Sequence, residues 1–241
     1  MCLPWQCAEL CWPKRDVLWY TDICMKYDAL LFDLDGTLLD TLGDLYTAVN
    51  AALSSRGFPL RSIDEVRQFV GNGAATLITR AVPEGTPNAE CRLIYDAFVS
   101  YYAAHCTEST QPYAGISCVL DAVRARGVKT AIVSNKDDLA TRKLAAHFFP
   151  GLFDVVYGNR VGVKRKPAPD AVLEVLARFS LSADRAVYIG DSDVDIATAR
   201  AAGMPCISVL WGFRDEAFLR AHGATLTVQT PGELLCAVSE R

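Results

Sequence analysis

The spacing of apolar positions changes several times along this chain, and each change marks an element. Ala29-Leu30-Leu31-Phe32 is an unbroken apolar run, followed by Asp33-Leu34-Asp35-Gly36-Thr37-Leu38. A short run of that kind, ended by a turn signal, reads as a strand buried on both faces. From Leu42 the period becomes helical. Leu42, Leu45, Tyr46, Val49, Ala52 and Leu53 recur at three- and four-residue steps, and Gly57 stops them. Ser62-Ile63-Asp64-Glu65 is a capping box that opens a second helix. Val70-Gly71-Asn72-Gly73 interrupts it. A third helix is predicted over 74–81, a loop over 83–87 and a fourth helix over 88–105. No strand pattern lies between residues 42 and 110.

Beyond Gly115 strands and helices alternate. Strands are predicted over 128–133, 154–157, 186–189 and 206–210, with a last short one near Leu226. Helices are predicted over 116–126, 138–147, 193–202 and 216–221. Another is opened by Lys166-Pro167-Ala168-Pro169 and runs to Phe179, and a last one starts at Gly232. This alternation predicts an α/β fold: a doubly wound, Rossmann-like parallel sheet with an inserted all-helical domain. Residues 25–40 and 114–241 make the α/β core, and residues 41–113 make the insert. Gly43 at one end and Pro112-Tyr113-Ala114-Gly115 at the other are the hinge segments.

Residues 1–24 read differently. They hold Cys2, Cys7, Cys11 and Cys24 and three of the tryptophans, Trp5, Trp12 and Trp19. Glu9, Lys14, Arg15 and Asp16 spoil a secretory signal pattern, and the cysteine spacing fits no familiar metal-ligand pattern. The stretch reads as an atypical N-terminal extension, with Met25 expected as the true start.

Composition narrows the classes further. With 241 residues, 51% of them hydrophobic, the chain can build a sizeable core. The net charge is -4 and no basic stripe appears, which argues against a nucleic-acid partner. No apolar run approaches the roughly 18 residues of a membrane span. The nine cysteines are scattered without a C-x-x-C pair, so the expectation is free thiols and a cytoplasmic location.

Candidate chemistry sits at the strand ends. Asp33 and Asp35, two residues apart on an extended backbone, point to the same side. In a parallel sheet the strand ends share one edge, so Asp33, Asp35, Ser134 and Asp191 converge where open α/β sheets hold ligands. Each segment also has an ordinary reading. Asp-Gly after a strand can be a plain turn. Ser134-Asn135 can be a helix entry, Lys166 a solvated lysine, and Ser192 to Asp195 a capping arrangement.

Taken in order, Asp33-Leu34-Asp35-Gly36-Thr37, Ser134-Asn135-Lys136, Lys166-Pro167 and Gly190-Asp191-Ser192-Asp193-Val194-Asp195 resemble the motifs of the haloacid-dehalogenase-type phosphatases. The resemblance covers residues 25–241. It implies that the helical insert is a cap and that the partner is a small phosphorylated metabolite, handled by a monomer or homodimer. It implies Asp33 as nucleophile and Asp35 as general acid and base. Ser134 and the Asn135 N–H would bind phosphoryl oxygens, and Lys166 would supply a fixed positive charge. It implies Mg²⁺ held by the Asp33 carboxylate, the Asp35 backbone carbonyl and the Asp191 carboxylate, with Asp195 outside the ligand set.

The motifs also sort relatives. Asp35 argues against the dehalogenases, and the lack of lysine between Asp40 and Pro112 argues against the phosphonatases. Gly190 stands where the β-phosphoglucomutase group carries an acidic residue. Val70-Gly71-Asn72-Gly73-Ala74, with Leu77 and Arg80-Ala81, and Pro112-Tyr113-Ala114-Gly115 resemble the phosphoglycolate phosphatase branch. In that branch the expected substrate-binding residues of the cap are Gly71, Asn72, Gly73 and Arg80. Relatives acting on nucleotides, sugar phosphates or pyrophosphate share much of this pattern, and a binding protein that merely keeps the fold is the alternative from another class.

Overall fold

The computed structural model describes residues 24–240. The reading of the N-terminal extension therefore lies outside the described residues, apart from Cys24, whose carbonyl accepts a hydrogen bond from the Glu240 N–H (2.8 Å). In chain order the elements begin with β1 (Ala29–Phe32) and β2 (Leu39–Asp40). Four helices follow: α1 (Leu42–Ser54), α2 (Ile63–Phe69), α3 (Ala74–Ala81) and α4 (Asn88–His105). Next come β3 (Gln111–Pro112), α5 (Ile116–Arg124), β4 (Lys129–Asp137), α6 (Asp138–Phe148) and β5 (Val155–Asn159). The chain continues through α7 (Asp170–Phe179), β6 (Ala186–Gly190), α8 (Asp193–Ala201) and β7 (Cys206–Val209). It closes with α9 (Glu216–Ala221), β8 (Thr227–Val228) and α10 (Pro231–Ala237).

Strand β1 is the middle of the fold. Leu30 and Phe32 enter one apolar cluster, and Ala29 and Leu31 enter another. Both faces of the strand thus leave water, which is why its sequence shows no polar alternation. Burying side chains of the size of Leu and Phe contributes about 1.5–3 kcal/mol each. The sheet has the order β5-β4-β1-β6-β7-β8, and all of its pairings are parallel. The chain first builds outward from β1 through β4 to β5, then crosses to β6 on the other side. The strand order therefore reverses beside β1, which is where a doubly wound sheet opens a crevice for a ligand.

Helices α1 to α4 pack on one another, with α1 against α2 and α4, and α3 against α2 and α4. Val49, Leu53, Val66, Ile78, Ile94 and Phe98 are buried among them. The Ser62–Glu65 capping box forms as expected, with the Ser62 side chain accepting from the Glu65 N–H. The connection to the sheet is a short antiparallel ribbon, Leu39 opposite Pro112 and Asp40 opposite Gln111. Two-residue strands carry no period, so the apolar pattern does not reveal them. Asp44 closes this neck: its carboxylate accepts from the Ser109 N–H (2.8 Å), the Thr110 N–H (3.0 Å) and the Thr110 hydroxyl (2.7 Å).

Several boundaries differ from expectation, among them the end of β5, at Asn159 and not at 157. Helix α5 stops at Arg124, short of Arg126. Strand β4 runs past Val133 to Asp137, with a register shift against β5 between those residues. Helix α7 starts at Asp170, after the Lys166–Pro169 segment rather than on it. Among the described residues no helix is long and apolar enough to cross a membrane.

Candidate active site

The Asp33 N–H continues the ladder of β1 by donating to the Ile189 carbonyl (2.9 Å). This fixes the backbone from which the carboxylate projects. Its Oδ1 accepts from the Leu34 N–H (2.7 Å) and lies 3.0 Å from Lys166 Nζ. The turn after Asp35 places Gly36 at a φ of 80°. A Cβ there would overlap the Asp191 carboxyl group, so this close approach needs glycine. Asp191 stands directly after β6. Its Oδ1 accepts from the Thr37 hydroxyl (3.2 Å) and its Oδ2 from the Phe213 N–H (2.7 Å).

Lys166 is buried, which removes the solvated-lysine reading. Its ammonium donates to Asp195 Oδ1 (2.7 Å) and to the Tyr188 hydroxyl (2.9 Å). Tyr188 in turn donates to the Val133 carbonyl (2.7 Å), so two strands aim one lysine. Asp195 Oδ2 accepts from the Ser192 N–H (3.0 Å) and the Ser192 hydroxyl (2.6 Å). The capping arrangement at α8 is therefore present, and the same carboxylate also serves Lys166. Both readings of that segment hold at once. A Cβ on Gly190 would overlap the Asp195 carboxyl, so an acidic side chain cannot stand there without moving it. Gly190→Ala is expected to cost about 1–3 kcal/mol of stability through overpacking. A melting curve checks this; an unchanged melting temperature would contradict it.

One carboxylate oxygen from each of Asp33, Asp191 and Asp195 lies within 4.8 Å of the others. Asp195 gives one oxygen to the Lys166 ammonium at 2.7 Å and the other to Ser192, whereas Asp191, among the described residues, meets only the neutral donors Thr37 and Phe213, so Asp33 and Asp191 fit a cation better than Asp195 does. Without one, burial pushes Asp33 up to about 6, with Lys166 pulling it down and Asp195 and Asp35 raising it. Burial also pushes Asp191 up to about 8, and the charges of Asp195 and Asp33 add to the effect. Three buried carboxylates against one ammonium is a donor set that fits a divalent oxygen-loving cation.

Asp35 is held by Thr41, whose hydroxyl donates to Oδ1 (2.7 Å), and by Lys136 (2.9 and 3.2 Å). Burial pushes the Lys136 ammonium down, but the charge of Asp35, together with Tyr102 and the hydrogen bonds to both, keeps the lysine above its ordinary value. Lys136 also lies 4.4 Å from the centre of the Tyr102 ring on α4. Ser134 and Asn135 are buried at the end of β4. They are not the helix entry: Asp137 caps α6, accepting from the Leu139 and Ala140 N–H groups. Ser134 and Asn135 both line the cavity at the strand ends. The Asn135 amide donates to the Gly71 carbonyl (3.2 Å) and the Lys166 carbonyl (3.0 Å).

A cavity of about 320 Å³ lies between the strand ends and the insert. Asp33, Asp35, Ser134, Asn135 and Asp191 form its floor, and Gly71 and Gly73 reach it from above. Leu77, Tyr95, Phe98 and Tyr102 make its wall largely apolar. Asn72 and Arg80 are not among its lining residues. The Asn72 carbonyl accepts from Arg165 (3.4 Å), and the exposed Arg80 donates to the Phe69 carbonyl (3.0 Å). Lys136 and Arg214 line the cavity, although neither is among the candidate site residues read from the sequence. Lys136 follows directly on Ser134-Asn135, and that adjacency is the available signal. Arg214 sits in Trp211-Gly212-Phe213-Arg214 at the same edge, and Trp211 Nε1 donates to the Thr37 carbonyl (3.0 Å).

Residues 30–209 match the family model described as haloacid dehalogenase-like hydrolase, and the chain belongs to that family. Its relatives set it among the phosphatases there. It is 35% identical over 206 residues to the phosphoglycolate phosphatase of Xanthomonas campestris pv. campestris, covering 84% of this chain and 93% of that one. It is 32% identical to phosphoglycolate phosphatase 1 of Pseudomonas aeruginosa over 86% of this chain and 79% of that one. Among solved structures, a Lactobacillus delbrueckii protein assigned provisionally as a phosphoglycolate phosphatase superposes with a TM-score of 0.86 and 38% identity. It spans 90% of this chain and 100% of that one.

Proposed function

We propose that this phosphatase uses Mg²⁺ and an aspartyl-phosphate intermediate, and that its substrate is phosphoglycolate. The observation that carries the chemistry is the setting of Asp33. Its Oδ1 is tied to the Leu34 N–H and Lys166, while among the described residues no donor occupies Oδ2. Oδ2 attacks phosphorus and the bond to the leaving oxygen breaks. Asp35 gives the leaving oxygen its proton, then takes one from the water that cleaves the phosphoaspartate. Ser134, the Asn135 N–H and Lys166 hold the phosphoryl oxygens. Mg²⁺ would be held by the Asp33 and Asp191 carboxylates and the Asp35 carbonyl, and when bound it supplies positive charge against the equatorial oxygens. Asp195 acts by orienting Lys166. Residues 41–113 act as a cap that excludes water from the cavity.

The substrate choice rests on the names of the relatives and on Lys136. A glycolate leaving group carries a carboxylate beside the oxygen that Asp35 must protonate. Lys136 is the buried ammonium at that point, and a substrate carboxylate gives it a second anion, which loosens its hold on Asp35. Lys136→Met is expected to lower kcat/KM for phosphoglycolate by about 10–100-fold, in line with losing a charged hydrogen bond. The loss for p-nitrophenyl phosphate, which lacks the carboxylate, is expected to be smaller. Equal losses on both esters would remove carboxylate recognition from Lys136. A second reading rests on the size and apolar wall of the cavity, which would also suit a bulkier phosphate ester. Ranking kcat/KM over a panel of glycolate, sugar, nucleotide and aryl phosphates decides between the two.

A further inference from the structure

Six successive carbonyls, from Arg67 to Asn72, each accept a hydrogen bond from a side chain. Arg214 Nη1 donates to the Arg67 carbonyl (2.8 Å), and Nη2 donates to those of Gln68 (3.2 Å) and Val70 (2.9 Å). Arg80 serves Phe69 (3.0 Å), Asn135 serves Gly71 (3.2 Å) and Arg165 serves Asn72 (3.4 Å). These carbonyls end α2 and lead into α3. The last carbonyls of a helix lack partners within it and carry partial negative charge, which a guanidinium complements.

The origin of the donors matters more than their number. Arg80 belongs to the insert itself. The other donors come from separate parts of the catalytic edge: Arg214 after β7, Asn135 at the end of β4, and Arg165 next to Lys166. Each is mounted on the site. The Phe213 N–H, one residue before Arg214, donates to Asp191 Oδ2 (2.7 Å), and Asn135 donates to the Lys166 carbonyl (3.0 Å) as well as to Gly71. Gly71 and Gly73 line the cavity, so whatever holds this turn also sets the cavity wall. Moving the insert away from the sheet requires breaking the bonds of these three core side chains together, along with the one Lys143 on α6 donates to the Ala103 carbonyl on α4 (2.6 Å). Arg214 makes three of them and reaches deepest into α2.

We propose that Arg214, with Asn135 and Arg165, is a latch that holds the α2–α3 turn on the catalytic edge. Arg214 is the positioning residue that decides how long the insert stays closed over the cavity. The latch does not depend on which ester is the substrate, and only the kinetic arm of its test rests on the phosphatase reading.

Amide hydrogen exchange on the intact chain tests it, with Arg214→Met, Arg214→Lys, Arg165→Met and Arg80→Met. Arg214→Met is expected to speed exchange about tenfold both in residues 67–77 and across the cavity in residues 134–137, as fits the loss of bonds to a charged donor. Exchange in β1 and β6 stays unchanged. Arg165→Met shifts the same two regions by less. Arg214→Lys, which keeps the charge but cannot fork, falls between Arg214→Met and the parent. Arg80→Met frees one carbonyl inside the insert and leaves residues 134–137 at the parent rate. With p-nitrophenyl phosphate and Mg²⁺, Arg214→Met raises KM about tenfold and changes kcat less, and Arg214→Lys restores part of the loss. The proposal is overturned if Arg214→Met and Arg80→Met give the same exchange pattern, or if exchange in β1 and β6 rises as much as in the latch. If the exchange pattern is as expected and the parent chain turns over no ester, the latch stands and the phosphatase chemistry proposed for the site fails.

Discussion

Asp33→Asn is expected to lower kcat on the order of 10⁴–10⁶-fold, the scale seen when a nucleophile is removed, while the protein stays folded. The amide matches the carboxylate in size, so the packing at the end of β1 is kept. Its oxygen can still accept from the Leu34 N–H, which donates to Asp33 Oδ1 at 2.7 Å. What would be lost is the anionic oxygen proposed above as the nucleophile. The fold should not suffer, because burial already disfavours the charged form of Asp33, whose pKa is pushed up to about 6. Lys166 keeps its contacts to Asp195 and Tyr188. Two measurements check this: kcat with p-nitrophenyl phosphate and the melting temperature without metal. Turnover close to that of the parent in a folded Asp33→Asn protein would refute covalent catalysis by this residue.

Removing the metal is expected to have an effect of similar size. EDTA should abolish turnover, and Mg²⁺ should restore it. Ca²⁺ should restore little, because its larger and looser shell does not hold the octahedral geometry that Mg²⁺ demands. The pH dependence follows from the two raised carboxyl groups. Asp33 stands at about 6 and Asp191 at about 8, against an ordinary value of 3.8. A carboxyl raised by folding favours the folded state while it stays protonated. In the metal-free protein that contribution is complete below the ordinary value. It is lost as pH rises through about 6 for Asp33 and about 8 for Asp191. A cation binds the ionised forms, so it must displace those protons. Saturating Mg²⁺, at about 100 times its Kd, adds about 2.7 kcal/mol of stability. At a fixed Mg²⁺ concentration the gain in melting temperature should be larger at pH 8 than at pH 5.5. A gain that is the same at both pH values would place the cation away from Asp33 and Asp191.

Elements with a strong period are legible in the sequence alone. The apolar run at Ala29–Phe32 requires a strand covered on both faces, because no residue in it can face water without cost. The periodic helices 42–53 and 74–81 and the capping box at Ser62 appear where expected. The two-stranded neck at Leu39–Asp40 and Gln111–Pro112 is not legible. Its pairing joins residues far apart in the chain, and two residues carry no alternation to read. The apolar pattern makes strand β4 too short for a related reason: the stretch from Ser134 to Asp137 is polar, and burial at the site rather than hydrophobicity keeps it extended.

The sequence by itself determined the order of the longer strands and helices, the parallel sheet that follows from it, and which polar residue types stand at the strand ends. These are local properties: the period of apolar side chains and the residue types beside each turn belong to the unfolded chain as much as to the folded one. Only the tertiary structure decided between readings that local pattern leaves equal. Lys166 is a buried neighbour of Asp33 and not a solvated lysine because Tyr188 and Asp195, on β6 and α8, remove it from water. Ser134 and Asn135 face the cavity because Asp137, two residues further on, caps α6 in their place. Arg80 and Arg214 both reach carbonyls at the end of α2, yet Arg80 serves its own insert while Arg214 reaches across from the sheet. Charge and residue type are properties of a position in the chain, but desolvation and partnership arise when distant segments meet, and these give a charged side chain its role.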